Sequence, residues 1–242
     1  MERPNGHHSS TKKRRRIVSE VLTYMEETEN IEVTDLPVGF PTSYWQIKEM
    51  TMLYSCAMRE ICTKLENLSQ EFELNKDRNP IQHITHRLKK TESIRNKMLQ
   101  KNLPLEYEIM RDEITDIGGI RVICSYINDI YAIVKMLKKQ DDLLIVREKD
   151  YIANPKANGY RSYHLIVAIP IFLSSEKQII PVEIQMRTIA MDFWASLEHQ
   201  LRYKTEAEVS DSTRIRLTNI AHSIFNADLE MQNIYEEIKD IR

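Results

Sequence analysis

Four short segments of the chain carry residue types that bind phosphate groups or assist proton transfer. The first, HRLKKTESIRNKM at residues 86–98, contains Arg87, Lys89, Ser93 and Lys97. A guanidinium fork, two ammonium groups and a hydroxyl at this spacing could hold one polyphosphate. The same spacing is typical of the solvated start of a basic helix, and taken alone the segment favours that simpler interpretation.

Two carboxylates stand where they could meet a metal ion or a reacting hydroxyl. Asp116 belongs to the segment DIGGIR, which leads into a predicted strand. Mg2+ prefers one or two carboxylates plus substrate phosphates, although an aspartate that caps a turn is the simpler interpretation. Glu183 belongs to the apolar strand VEIQM, where strand alternation puts it on the same face as Gln185. A carboxylate buried there without a partner is costly, which favours a functional role.

The segment at residues 147–164 interleaves cations, aromatic rings and amide groups. It reads REKDYIANPKANGYRSYH and contains Arg147, Lys149, Asn158, Tyr160 and His164. The Tyr160 ring could stack on a base while the cations meet phosphate, with a polar loop as the simpler alternative. The chain has only five glycines and neither a GxxxxGK[ST] nor a GxGxxG motif. Bound phosphates would therefore depend on side-chain cations.

An α+β pattern of elements must position these segments. Apolar residues recur every three or four positions from residue 47 to residue 72, which predicts a long helix from residue 42 or 43 to about 75. We then predict a short helix at 91–101, strands at 120–126, 143–147, 163–170 and 179–186, and helices at 128–139, 188–203 and 215–241. Helices at both ends of these strands indicate a mixed β-sheet flanked by helices, with long N- and C-terminal helices.

Composition and charge exclude several classes of protein. The chain has 42% hydrophobic and 29% charged residues, and no apolar run approaches the length of a membrane span. Without a signal-peptide pattern we expect a cytoplasmic protein. The three cysteines form no CxxC pair and are expected to be reduced. Residues 1–16, with five consecutive cations, are expected to be a disordered basic tail, with nucleic-acid contact as the alternative, and residues 17–25 a short helix.

The order and spacing of four blocks resemble the synthetase domain of the RelA/SpoT family. These blocks are HRLKKTESIRNKM, DIGGIRVI, REKDYIANPKANGYRSYH and VEIQMRT. The preceding segment TKLENLSQEFELNKDRNPI extends the resemblance, from about residue 44 almost to the C-terminus, to the RelQ-type small alarmone synthetases. The resemblance implies a single synthetase domain of nucleotidyltransferase-like fold over residues 17–242. Its catalytic core would cover about 80–204, with helical extensions at 44–77 and 212–241.

The resemblance also implies GTP pyrophosphokinase activity, in which the β,γ-pyrophosphate of ATP moves to the 3′-hydroxyl of GDP or GTP and AMP leaves. Mg2+ is the implied cofactor, held by Asp116 and Glu183, and Glu183 would activate the hydroxyl. The implied ATP-binding residues are Arg87 and Arg121, which sandwich adenine, and Lys89, Ser93 and Lys97, which bind phosphates. The implied GDP- or GTP-binding residues are Arg147, Lys149, Asn158, Tyr160, His164 and Gln185.

One departure from the family pattern leaves the acceptor preference open among GMP, GDP and GTP. In the block GYRSYH, Arg161 and Tyr163 stand where long family members usually carry glutamine and a small or aliphatic residue. None of the seven histidines is followed by aspartate, so we expect synthesis without the hydrolysis that the long bifunctional relatives perform. The RelQ likeness further implies a homotetramer and an allosteric site for pppGpp or single-stranded RNA.

The sequence leaves two other functions open. Some toxin-like small synthetases pyrophosphorylate the 3′ end of tRNA, which the basic tail slightly supports and the cations Arg147 and Lys149 oppose. A non-catalytic nucleotide- or RNA-binding regulator is the other alternative. That interpretation would be favoured if either acidic residue were missing, but both Asp116 and Glu183 are present.

Overall fold

The computed structural model describes residues 43–75, 78–204 and 210–240. The predicted basic tail at 1–16 and the predicted helix at 17–25 lie outside the described residues. Six helices and five strands follow one another along the part of the chain that is described. In chain order they are α1 (Tyr44–Asn75), β1 (Ile81–Leu88), α2 (Thr91–Gln100), α3 (Tyr107–Glu113), β2 (Gly118–Cys124), α4 (Ile127–Leu137), β3 (Leu144–Asp150), β4 (Tyr163–Phe172), β5 (Lys177–Thr188), α5 (Ile189–Lys204) and α6 (Asp211–Asp240).

The five strands form one mixed sheet in the order β1-β2-β5-β4-β3. Strands β2 and β5 run parallel, and the other three neighbouring pairs are antiparallel. Strands β4 and β5 project beyond their neighbours, because β3 pairs only as far as Ala168 and β2 only from Val182 onward. Pro170 and Pro181 lie in this projecting part, where each has a neighbouring strand on one side only. A sheet tolerates the missing backbone N–H of proline at such positions.

Helix α1 covers one face of the sheet. Its residues Ala57, Ile61 and Leu65 are fully buried, as the apolar periodicity of the sequence predicts. The helix packs across β1, β2, β4 and β5, against side chains that include Val182 and Ile184. Because side chains alternate along a strand, the polar residues between these apolar ones must lie on the opposite face. The packing of α1 thus assigns the other face of the sheet to the polar segments.

Helices α5 and α6 pack against each other beside the end of β5. The Trp194 indole N–H donates to the backbone carbonyl of Leu217 at 3.1 Å, and the Thr188 hydroxyl donates to Asp228 Oδ2 at 2.6 Å. The Thr188 hydroxyl oxygen also accepts the backbone N–H of Met191, which caps the start of α5. Among the described residues, no helix combines the length and the apolar character needed to cross a membrane.

The predicted α+β class, the mixed sheet and the two long terminal helices are confirmed, and each predicted strand overlaps an observed one. Two elements were missed, β1 and α3. Strand β1 is an edge strand that is partly exposed on both faces, so its sequence lacks strict apolar alternation. The simpler interpretation of residues 86–98 as a basic helix start holds only for their later part, because Arg87 lies in β1 and α2 begins at Thr91. Helix α3 has seven residues, too few to display a helical period.

Candidate active site

Two rows of residues cross all five strands on the face opposite α1. In the order β1, β2, β5, β4, β3, the first row in register is Arg87, Gly119, Glu183, Ile166 and Arg147. The second row is Thr85, Arg121, Gln185, His164 and Lys149. Residues in register on neighbouring strands share a face of the sheet. The sheet therefore brings together predicted site residues from segments that are far apart in the sequence.

A cavity of about 230 Å3 opens beside the part of these rows that β1, β2 and β5 contribute. Its wall includes the carboxylates of Asp116 and Glu183 and the cations of Arg87, Lys89 and Arg121. Burial and the nearby charge of a second arginine lower the pKa of the Arg121 guanidinium from its ordinary value. The cavity combines acidic and basic groups in the way that a polyphosphate with a divalent cation requires.

Asp116 binds two of the predicted phosphate-binding lysines. Its Oδ2 accepts hydrogen bonds from Lys89 Nζ and Lys97 Nζ, both at 2.6 Å. Burial acts to raise the pKa of Asp116, but the two lysine hydrogen bonds outweigh it and hold this pKa below its usual value. The other oxygen, Oδ1, is buried without a hydrogen-bond partner in the described part of the chain. An unpaired buried carboxylate oxygen is costly, and a bound cation would relieve that cost.

Glu183 is held at both of its oxygens. His164 Nδ1 lies 2.9 Å from Oε1, and the Gln185 side-chain amide donates to Oε2 at 2.8 Å. Burial acts to raise the pKa of Glu183, but His164 and the Gln185 hydrogen bond outweigh it and hold this pKa below its usual value. Glu183 is therefore ionised at neutral pH, as a base or a metal ligand must be.

The loop between β3 and β4 brings Tyr160 to the same surface. Gly159 has a φ of 85° and closes a turn through its N–H bond to the carbonyl of Lys156 at 2.8 Å. The Asn158 side chain accepts the backbone N–H of Tyr160 and donates to Glu198 Oε1, both at 3.2 Å. The Tyr160 hydroxyl lies 2.8 Å from His164 Nε2. The turn thus fixes the phenol ring next to the Glu183–His164 pair.

Seven predicted residues lie outside the cavity wall, and three of these, on α2 and β3, are exposed. Ser93 is exposed on α2, four residues before Lys97, so the two side chains share one side of that helix. Arg147 and Lys149 are exposed on the edge strand β3, each at the end of one of the two rows. All three side chains are therefore accessible to a ligand that extends beyond the cavity.

Arg187 and Asp192 belong to the site, and the sequence analysis did not single them out. Arg187 is 5% exposed and donates to Asp192 Oδ1 at 2.8 Å. The same carboxylate oxygen lies 3.4 Å from Nη1 of Arg121. Strand alternation from Glu183 through Gln185 predicts the face on which Arg187 lies, so the sequence held a signal for it. Asp192 belongs to the first turn of α5, and nothing in its local sequence pointed to the site.

Comparison with known proteins identifies the family. Residues 86–208 match the family described as a region found in RelA / SpoT proteins. This span contains every predicted site residue. The chain belongs to the RelA/SpoT family. GTP pyrophosphokinase YwaC of Bacillus subtilis (strain 168) is 43% identical over 191 residues, which cover 79% of this chain and 91% of that protein. GTP pyrophosphokinase YjbM of the same organism is 37% identical, over 77% of this chain and 87% of that protein.

A solved structure shares the fold of this RelA/SpoT family member. The crystal structure of small alarmone synthetase 1 from Bacillus subtilis, bound to its product pppGpp, matches with a TM-score of 0.74 at 36% sequence identity. The match covers 80% of this chain and 98% of that chain. The family assignment made from the four sequence blocks is therefore confirmed, together with the fold class.

The two residues that depart from the RelA/SpoT pattern are engaged away from the two rows. The Tyr163 side chain is buried, its hydroxyl donates to Glu148 Oε2 at 2.7 Å, and its ring meets Tyr131 of α4 edge-on. The Arg161 guanidinium lies 3.7 Å from the ring centroid of Phe225 and donates to the carbonyl of Ile152. Neither side chain joins Glu183 and His164 on the site face, so neither accounts for an acceptor preference by direct contact.

Replacing Gly159 with Ala is expected to destabilise the RelA/SpoT domain. A Cβ at this position would lie 2.5 Å from Cβ of Ala221 on α6, and the positive φ adds backbone strain. We expect the free energy of unfolding to fall by about 1–3 kcal/mol, measured by urea denaturation. The double variant Gly159→Ala/Ala221→Gly should recover part of the loss, because it removes the clash and keeps the strain. A single variant as stable as the wild type would contradict this packing.

Proposed function

We propose that this RelA/SpoT family member is a GTP pyrophosphokinase that transfers the β,γ-pyrophosphate of ATP to the 3′-hydroxyl of GDP or GTP. The products are AMP and ppGpp or pppGpp. One observation carries the proposal: the carboxylates of Asp116 and Glu183 line one cavity together with the cations of Arg87, Lys89 and Arg121. This set suits polyphosphate reactants and a hydroxyl nucleophile. The names of the two Bacillus relatives support the same activity.

Glu183 is the proposed general base. Its carboxylate takes the proton of the 3′-hydroxyl as that oxygen attacks the β-phosphorus of ATP. The bond between the β-phosphorus and the oxygen that bridges to the α-phosphorus breaks, and AMP leaves with that oxygen. A positioned base contributes roughly 10²–10⁴-fold to such a rate. Alignment of the two nucleotides and neutralisation of phosphate charge supply the larger part.

The proposed ATP side lies on β1, β2 and α2. Arg87 and Arg121 stand on adjacent strands and line the cavity, and their planar guanidinium groups suit stacking on adenine. Lys89 and Lys97 share Asp116 Oδ2, and a triphosphate offers both ammonium groups more anionic partners. Ser93 lies on the same side of α2 as Lys97. We therefore expect ATP binding to draw the two lysines from Asp116 towards the phosphates.

Asp116 and Glu183 fit a divalent cation of the Mg2+ type. Carboxylate oxygens are the ligands that this ion prefers, and Asp116 Oδ1 is buried without a hydrogen-bond partner in the described residues. Within residues 43–75, 78–204 and 210–240, no group of three or more His, Cys, Asp or Glu side chains is arranged to hold a metal. Nucleotide phosphates would therefore supply the remaining ligands. Bound there, the ion would neutralise the polyphosphate charge.

The proposed acceptor side lies towards β3. The Tyr160 ring, fixed by the turn at Gly159, is the proposed stacking surface for guanine. Arg147 and Lys149 are exposed at the β3 end of the two rows and suit the 5′-phosphates of the acceptor. His164 and Gln185 connect this side to Glu183 through hydrogen bonds. Asn158 supports the turn and completes the proposed set.

The test is a transfer assay with Mg2+, ATP labelled in its β-phosphate, and GMP, GDP, GTP or deacylated tRNA in separate reactions. We expect label on GDP and GTP together with stoichiometric AMP, and the same reactions rank GMP as an acceptor. Label on tRNA alone would instead assign the chain to the toxin-like branch. Transfer to none of the four acceptors would overturn the proposal in favour of a non-catalytic regulator.

Several expectations about the whole molecule also remain proposals. They are a single synthetase domain at residues 17–242, synthesis without hydrolysis, a cytoplasmic location, a homotetramer, and allosteric binding of pppGpp or single-stranded RNA. Activation by product has a direct test, which is a time course of ppGpp synthesis with and without added pppGpp. A linear time course without stimulation would contradict it.

A further inference from the structure

Arg187 is a buried cation beside the cavity, and the mechanism above gives it no role. Its side chain is 5% exposed and meets three acceptors: Asp192 Oδ1 at 2.8 Å, the Tyr160 hydroxyl at 2.8 Å and Gln185 Oε1 at 3.2 Å. Asp192 is its counter-charge and also approaches Arg121. A buried charge with this many specific partners is costly to assemble, which favours a role beyond packing.

The first route from Arg187 to Glu183 passes through Tyr160 and His164. A guanidinium group only donates, so the Tyr160 hydroxyl oxygen accepts its hydrogen bond. The hydroxyl hydrogen is then available for His164 Nε2, which lies 2.8 Å away. A neutral imidazole that accepts at Nε2 carries its proton on Nδ1, and Nδ1 lies 2.9 Å from Glu183 Oε1. This sequence of donors fixes the His164 tautomer that donates to Glu183.

The second route passes through Gln185 alone. Its two amide atoms can exchange places by rotation of the side chain, and only one orientation donates to Glu183. Because Arg187 donates to the Gln185 oxygen, the Gln185 nitrogen is directed to Glu183 Oε2 at 2.8 Å. Both oxygens of Glu183 therefore receive a donor whose direction is set by the same guanidinium group.

We propose that Arg187, held by Asp192, is a positioning residue that acts on Glu183 through Tyr160–His164 and through Gln185. The inference rests on the proposed function of Glu183 as the base. A planar guanidinium group is needed, because Tyr160, Gln185 and Asp192 lie around it and each takes its own N–H. A lysine ammonium keeps the charge but not this fork geometry. Asp192 also approaches Arg121 on the ATP side, and a lysine keeps a cation beside that carboxylate, so ATP binding should change little while Tyr160 and Gln185 lose their donor.

The test compares Arg187→Lys with the wild type and with the control Arg214→Lys, an exposed residue of α6 that pairs with Asp211. We expect Arg187→Lys to lower kcat by about tenfold to a hundredfold, the range for lost hydrogen bonds to charged groups. The KM for ATP should change by less than about twofold, and Arg214→Lys should match the wild type. The proposal would be overturned if the KM values for ATP and for GDP rose equally and the melting temperature fell. An unchanged kcat would also overturn it.

Tyr160→Phe keeps the proposal testable if Arg187→Lys does not fold. It retains the ring and removes the hydroxyl of the first route, so the single variant should by itself lower kcat, and an unchanged kcat would overturn the first route. Where Arg187→Lys does fold, the double variant should be no slower than Arg187→Lys alone. If the fold-losses in kcat of the two single variants multiply in the double variant, Arg187 and Tyr160 do not act through one route, and the proposal is overturned. 15N NMR of histidine-labelled wild type should show His164 protonated at Nδ1, and the Nε2 tautomer would overturn the proposal. This measurement stays decisive even if the wild type transfers no pyrophosphate, the outcome that rejects the proposed function.

Discussion

Replacing Glu183 with Gln is expected to lower kcat for pyrophosphate transfer by roughly 10²–10⁴-fold. The amide keeps the volume of the carboxylate, but it carries no charge and cannot take the proton of the 3′-hydroxyl. It also presents one nitrogen to the donors from His164 and Gln185, which now meet the two carboxylate oxygens. We expect the free energy of unfolding to stay within about 2 kcal/mol of the wild type, because the side chain is at the site and outside the apolar core.

The matched control for this variant is Glu176→Gln. Glu176 is exposed in the turn between β4 and β5, where its carboxylate accepts a hydrogen bond from Gln178. Steady-state assays with labelled ATP and GDP measure kcat, and urea denaturation measures stability for both variants. Glu176→Gln should transfer pyrophosphate at the wild-type rate. If Glu183→Gln keeps near-full turnover, Glu183 is neither the base nor an essential metal ligand.

The sequence was sufficient where a local pattern corresponds to a local structure. The spacing of three and four along residues 47–72 predicted the buried stripe of α1, and alternation in VEIQM predicted that Glu183 and Gln185 share a face. The order of the four blocks predicted the family that the comparisons confirm. These predictions succeed because backbone periodicity alone determines which side chains point the same way.

The sequence was insufficient where the structure depends on strand register and on contacts between distant segments. Strand β1 is an edge strand with weak alternation, so the place of Arg87 in the sheet was not predicted. The hydrogen bonds of Lys89 and Lys97 to Asp116 were also unexpected. The family resemblance implies that the lysines bind phosphate and that Asp116 binds a metal ion, and it implies no contact between them. Asp192 contacts Arg121 and Arg187 only because the fold places α5 against β2 and β5. Local propensity carries no information on such contacts.

Replacing Asp116 with Asn is expected to abolish the gain in ATP affinity that Mg2+ provides and to lower kcat by about 10²-fold or more. The amide retains an oxygen for hydrogen bonding, but it loses the charge that two lysines and a metal ion would share. Without divalent cations, the variant should bind ATP at least as tightly as the wild type. The reason is that Lys89 and Lys97 would no longer face a carboxylate that competes with phosphate.

Titration calorimetry with ATP, in EDTA and in Mg2+, separates these two effects. Asp112→Asn is the matched control, because Asp112 is exposed on α3 and pairs with Arg111, outside the cavity wall. The control should keep the full effect of Mg2+ on ATP affinity. If Asp116→Asn also keeps it, Asp116 does not hold the metal. Removal of a competing carboxylate can only favour an anionic ligand. If the variant binds ATP more weakly than the wild type in EDTA, the proposal that Lys89 and Lys97 move from Asp116 to the phosphates is therefore wrong.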